Sequence, residues 1–157
     1  MTPDADKSSV FTNRRGASLG PPLIGALLRM PSDMVRARML EGLHQAGFAD
    51  FDAVHLRVLQ YPGPQGLRPS ELASQLGMSK QAVNYQLGEL ERMGYLERRP
   101  DPAAQRARQV MLTDRGIAAG RVMREAVAQL EDEWAGLLGA ERFGQLRALL
   151  QDLNRHL

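Results

Sequence analysis

Two regular stripes of apolar residues end the chain. Met123, Val127, Leu130, Trp134 and Leu137 are spaced 4, 3, 4 and 3, and beyond the "LLGAE" break Phe143, Leu146, Leu150, Leu153 and Leu157 repeat at 3, 4, 3 and 4. That is the period of one helix face, so two helices seeking partners are predicted from Asp114 onward. Near the other end, Pro21 to Ala46 is helical in pattern but interrupted at Pro31, which removes a backbone donor; a kinked helix or two helices are expected, with Ser32 or Asp33 capping the restart. Gly47 closes that region. Phe51 to Tyr61 reads as a further helix with Val54, Leu56, Val58 and Leu59 turned inward, stopped by "PGPQG".

The middle of the chain is more sharply punctuated. Pro69 suits a first helical position, Leu72, Ala73 and Leu76 form a short apolar stripe, and Gly77 is placed to end the helix in a left-handed conformation. Ser79 then caps another helix after a turn of three or four residues. On that helix Val83, Leu87 and Leu90 share one sector, with Met93 beside it, while Gln81, Asn84, Tyr85 and Gly88 fall opposite. After Gly94 the period changes: "YLERR" and "RQVMLT" read as strands, with Val110 and Leu112 alternating against Gln109 and Met111. The predicted architecture is mainly α with a small β-hairpin, a helix-turn-helix followed at once by a wing.

At 157 residues the chain suits one domain with a real core, and its apolar runs are too short to cross a bilayer. Residues 1–20, rich in Ser, Gly, Pro and charge and without the apolar segment of a signal peptide, read as a flexible tail, and a cytoplasmic location is expected. Arg14 and Arg15 in that tail would add phosphate contacts at most. The absence of cysteine excludes disulfides, thiolate metal sites, cysteine nucleophiles and thiol redox sensing. A net charge of +2 is only mildly basic, so the distribution of charge matters more than its sum. From Glu97 to Arg108, four arginines (Arg98, Arg99, Arg106, Arg108) stand against Glu97 and Asp101, in a segment broken by Pro100 and Pro102.

These two features point to DNA. A face meant only for water usually carries Glu and Lys, whereas the amides of Gln81 and Asn84 match the paired donor and acceptor of adenine in a major groove. Lys80 and the Tyr85 hydroxyl would reach bases or phosphates, and the helix N-terminus that Ser79 caps favours phosphate. The plainer alternative is a solvated polar face. In the hairpin, Arg106 near the tip would enter a narrow minor groove, while Arg98, Arg99 and Arg108 neutralise phosphates; Arg68, just ahead of Pro69, joins the same candidate set. The alternative there is a solvated charged loop. Gly88 on the outward helix face would permit close approach to the groove wall, or is simply neutral.

The segment "LRPSELASQLGMSKQAVNYQLGELERMGYLERRPDPAAQRARQVMLTDRG" resembles the multiple antibiotic resistance regulator (MarR) family of bacterial winged-helix transcription factors, with the likeness running from about Leu23 to the C-terminus. The resemblance implies a homodimer joined by N- and C-terminal helices (21–47 and 114–157), a DNA-binding lobe over 51–113 and a single winged-helix domain over 21–157. Each lobe would read half of a pseudo-palindromic operator. It places Ser79, Lys80, Gln81, Asn84 and Tyr85 at recognition-helix positions and Arg106 at the wing arginine. The sequence departs from the family's Asp-Pro-x-Asp-x-Arg wing, having Ala104 where the second Asp steadies the arginine; Asp101 would have to substitute. Pro31 is also untypical. A symmetric pair follows from geometry as well, because recognition helices must lie about 34 Å apart to meet successive turns of one duplex. The C-terminal stripes suit that role, or pack on each other within one chain.

Catalysis has no motif to support it. His44, His55 and His156 lack metal-ligand spacing, and no nucleophile elbow, phosphate-binding glycine loop or carboxylate pair is present, so neither an enzyme nor a bound cofactor is expected. Met30, Met34 and Met39 would line an adaptable pocket or serve as plain core. A small apolar or aromatic effector is implied by the resemblance alone. The reading is a dimeric, sequence-specific transcriptional regulator, a repressor relieved by such an effector; the alternative is a winged-helix protein-interaction module without operator binding.

Overall fold

A computed structural model describes residues 21–60, 66–102 and 104–157, with the side chains of 104–106 excepted. The tail over 1–20, with Arg14 and Arg15, and most of the "PGPQG" loop therefore lie outside the described residues. The elements are α1 (Ile24–Gln45), α2 (Ala53–Leu59), α3 (Pro69–Leu76), α4 (Lys80–Arg92), β1 (Leu96–Asp101), β2 (Ala104–Leu112), α5 (Asp114–Leu138) and α6 (Ala140–Arg155). The described residues divide into two units, up to Met34 and from Val35 onward. In the first, Leu23, Ile24, Leu27, Leu28, Met30 and Met34 are exposed.

Pro31 does not break α1, which runs through it as one helix with Ser32 and Asp33 in its interior rather than at a cap. A proline inside a helix forfeits one donor, and the turns on either side keep their own bonds. The other departure is in α2, which starts at Ala53 and buries His55, Leu56, Val58 and Leu59, leaving Val54 51 % exposed. Here a capping box sets the phase: Asp52 accepts the Val54 N–H at 2.9 Å, and the Asp52 N–H donates to His55 Nδ1 at 3.3 Å. His55 is thereby drawn inward against Phe51, ring centroids 5.5 Å apart, and Val54 faces out.

In the second unit one core joins Leu43 and Phe51 to Leu56, Val58, Leu72, Leu76, Val83, Leu87, Leu90, Leu96 and Val110, with Ala119 and Met123 from α5. α3 and α4 meet as predicted: Pro69 occupies the first turn, Gly77 ends α3 at φ 60°, and Ser79 Oγ accepts the Ala82 N–H at 3.1 Å. A residue with a Cβ would strain at the Gly77 conformation. β1 and β2 pair antiparallel from Leu96↔Leu112 to Pro100↔Arg108, with an irregularity at Pro100/Asp101. An unpredicted third edge joins them: Leu67, two residues ahead of α3, exchanges both backbone hydrogen bonds with Val110, at 3.1 and 2.8 Å.

Tyr95, fully buried, ties these parts together. Its N–H donates to Leu90 O at 2.9 Å, its carbonyl accepts the Thr113 N–H at 3.1 Å, and its hydroxyl donates to Asp50 Oδ1 at 2.6 Å. Arg115 completes the knot by donating to both Asp50 oxygens and to Met93 O while its guanidinium lies 4.5 Å over the Tyr95 ring. α5 can approach this closely only because residue 116 is glycine, where an added Cβ would fall 2.1 Å from the Tyr95 carbonyl oxygen. The C-terminal stripes serve partly within the chain: Met123, Leu130 and Phe143 are buried and Trp134 packs edge-on to Phe143 at 6.5 Å, yet Leu137, Leu146, Leu153 and Leu157 stay exposed.

Burial, followed by the hydrogen bond to Asp50, raises the Tyr95 hydroxyl from its ordinary 10.0 to about 12. A group held protonated by the fold contributes stability that is complete below the unfolded value and is lost as pH rises through the folded one. Unfolding free energy should accordingly fall between pH 10.0 and about 12, at no more than about 1.4 kcal/mol per pH unit from this group. Urea titrations across that window should show the decline in the native protein and its attenuation in Tyr95→Phe.

Candidate nucleic-acid interface

The polar sector of α4 is built outward from its cap. With Val83, Leu87 and Leu90 fixed in the core, helical geometry puts Lys80, Gln81, Asn84 and Tyr85 on the solvent side, and all four are exposed together with Ser79. Tyr85 is 67 % exposed, a large amphipathic ring standing off the surface. The Asn84 amide donates one N–H to Lys80 O at 2.9 Å, which leaves its carbonyl oxygen and second N–H facing out. Gly88, on the same side, has no atom within 4 Å of where a Cβ would stand.

The start of this helix does not stand alone. Arg68, Pro69 and Ser70 from the head of α3, Lys80 and Asn84 from α4, and Ala107 and Arg108 from β2 line one open cleft of about 430 Å³. The Leu67–Val110 bridge explains the convergence, because it sets the residue preceding Arg68 beside the strand that carries Arg108. Three cations and an amide from three elements thus border one concavity. Such a surface suits anionic oxygens, which accept charge-assisted hydrogen bonds from each of them.

Arg68 is further fixed by Asp101, whose Oδ2 accepts from Arg68 Nε at 2.6 Å. That hydrogen bond raises the Arg68 pKa above its ordinary value, so the guanidinium stays charged. Asp101 is 8 % exposed while the Arg68 side chain is 41 % exposed, so the carboxylate is inside and its arginine reaches outward. Asp101 was singled out in the sequence as the substitute for the missing second wing Asp; the pairing described here is with Arg68 of α3. The sequence gives no local sign of it, since the partners are separated by 33 positions.

The remaining wing arginines are differently placed. Arg98 turns back to α4, its Nε 3.4 Å from Glu91, and Arg99 is 2.5 Å from Glu97 on its own strand. Neither lines the cleft. The Arg106 side chain lies outside the described residues. Ser70, which sequence reasoning missed, joins the cleft because the first turn of α3 opens onto it. Among the described residues no cluster of three or more His, Asp or Glu is disposed to hold a metal ion, and no helix is long and apolar enough to cross a membrane.

A tri-helical core with a helix-turn-helix and a two-stranded wing defines a winged-helix protein. The sequence profile of the MarR family matches residues 49–107. The transcriptional regulator PecS of Dickeya dadantii is 32 % identical over 95 residues, which cover 60 % of this chain and 57 % of PecS. Reduced MarR from E. coli is 26 % identical and superimposes with a TM-score of 0.70 over 85 % of this chain and 98 % of its own. The repressor CouR bound to a 23-mer DNA duplex shares the fold, with 24 % identity, a TM-score of 0.63 and 84 % and 92 % coverage of the two chains. Over its helix-turn-helix and wing the chain is similar to the MarR family of winged-helix transcription factors, and it shares their fold.

Open space at Gly88 makes its backbone freedom a pure cost to α4. Gly88→Ala should raise stability by roughly 0.5–1 kcal/mol. A urea midpoint that falls instead would mean that the site is closed in the folded protein.

Proposed function

We propose that the chain is a dimeric, sequence-specific DNA-binding regulator acting in the cytoplasm, a repressor relieved by a small effector. The observation that carries this reading is the meeting of Arg68, Lys80, Asn84 and Arg108 on one cleft beside the exposed, uncharged face of Gln81 and Tyr85. In this assignment α4 enters the major groove, where Gln81 and Asn84 read base edges. Ser79, Lys80 and Tyr85 add contacts at its N-terminal end. Arg68 and Arg108 hold phosphates on either side, and Arg106 reaches the adjacent minor groove. Arg98 and Arg99 contribute at the wing's flank, after exchanging their carboxylate partners for phosphate.

The lobe over 51–113 would be the DNA-binding part and the helices over 21–47 and 114–157 the dimerising part. Support for pairing comes from the unburied leucines of α5, α6 and just beyond, among them Leu137, Leu149 and Leu157 at 81, 67 and 93 % exposed. Support for an effector comes from a cavity of about 550 Å³ lined in part by Met39, Gln60, Met123, Arg124 and Val127. Its size suits a small molecule, and its two thioethers with Arg124, beside the paired Arg147 and Glu131, match an apolar or aromatic anion. Ala104 favours one rival reading, an interaction module whose wing no longer grips DNA.

Affinity for duplex DNA measured against salt separates the two. The regulator should lose affinity log-linearly with a slope of about −0.9 for every phosphate neutralised, several in all. Gln81→Ala and Asn84→Ala should abolish preference among sequences with little change in that slope. A flat salt response, or no binding, would favour the interaction module.

A further inference from the structure

The pairing of a buried carboxylate with an outward arginine at the joint between α3 and the wing goes beyond the contact set just assigned, and rests on it. Three facts define the joint. Leu67 and Val110 fix the strand-like segment ahead of α3 against β2. Arg68 Nε donates to Asp101 Oδ2 at 2.6 Å. Arg68 also lines the cleft with Lys80, Asn84 and Arg108. Because Asp101 takes the Nε side of the guanidinium, the two Nη groups of the fork remain for a ligand in the cleft.

We propose that Asp101 is a positioning residue for DNA binding: from inside the wing it holds Arg68 in the orientation that grips a backbone phosphate between α3 and α4. Arginine is suited to this double task because its donors are spread over a rigid plane, with one edge for the carboxylate and the rest for the phosphate. Lysine would bring both anions to a single nitrogen. The same contact sets the hairpin's angle against the helices, so the wing and the cleft move as one piece.

The proposal has a sign that charge alone does not. Removing an anion beside a polyanion should tighten binding by simple Coulomb attraction, whereas loss of a positioning residue should weaken it. The test measures anisotropy of a fluorescent duplex of mixed sequence against salt, since phosphate contacts are independent of sequence. Asp101→Asn should weaken binding by roughly threefold, the order expected for one net hydrogen bond. In an Arg68→Ala background the same change should leave affinity unaltered or raise it. Arg68→Lys, which preserves charge, should still flatten the salt slope by about 0.9 per lobe. Tighter binding by Asp101→Asn, an equal loss in both backgrounds, or an unchanged slope in Arg68→Lys would each overturn the proposal while leaving DNA binding itself intact. Failure of the native protein to bind any duplex would remove the underlying reading instead.

Discussion

Everything at the interface depends on the burial of one aromatic ring at the joint between helix and hairpin. Tyr95 sits where α4 ends and β1 begins, and its backbone and hydroxyl bind α4, the end of β2, and the α1–α2 connection at once. A helix and a hairpin linked by flexible residues would sample many mutual angles. Here the angle is fixed by packing against Phe51, whose ring stands 5.0 Å away at 86°, and by the ion pair of Arg115 with Asp50. Such a node is expensive to disturb at Tyr95, which is fully buried and whose hydroxyl would lose its partner.

The cleft adds a second constraint further out along the hairpin. The Leu67–Val110 bridge and the Asp101–Arg68 pair dock the wing on the head of α3, while Tyr95 docks its base on the tail of α4. The wing is therefore held at both ends of the helix-turn-helix. That arrangement converts a mildly basic chain into a locally cationic surface without needing a large net charge, and places the amides of α4 at its edge.

Much of this was readable one residue at a time. Pro69, Gly77 and Ser79 act through the backbone within a few positions, so the helix-turn-helix followed from them, as did the apolar faces of α3 and α4. The hairpin followed from the change of period after Gly94. What escaped was settled by partners far along the chain or by competing local chemistry. Asp101 and Arg68 lie 33 positions apart and Asp50 and Arg115 lie 65 apart, distances over which periodicity is silent. The Asp52 capping box outweighed the apolar pattern at Val54, and the turns flanking Pro31 outweighed its breaking tendency. Of the nominated arginines, the sequence had no means of telling Arg108, which borders the cleft, from Arg98, which turns to Glu91.

The claim at the centre is that α4 and the wing meet adjacent grooves of one duplex, in two symmetric copies. Hydroxyl-radical footprinting on the DNA flanking the chain's own gene tests it most directly. The account predicts paired protections whose centres lie about one helical turn apart, each flanked by a minor-groove protection from a wing. A single unpaired protection, or a uniform one without groove periodicity, would contradict it.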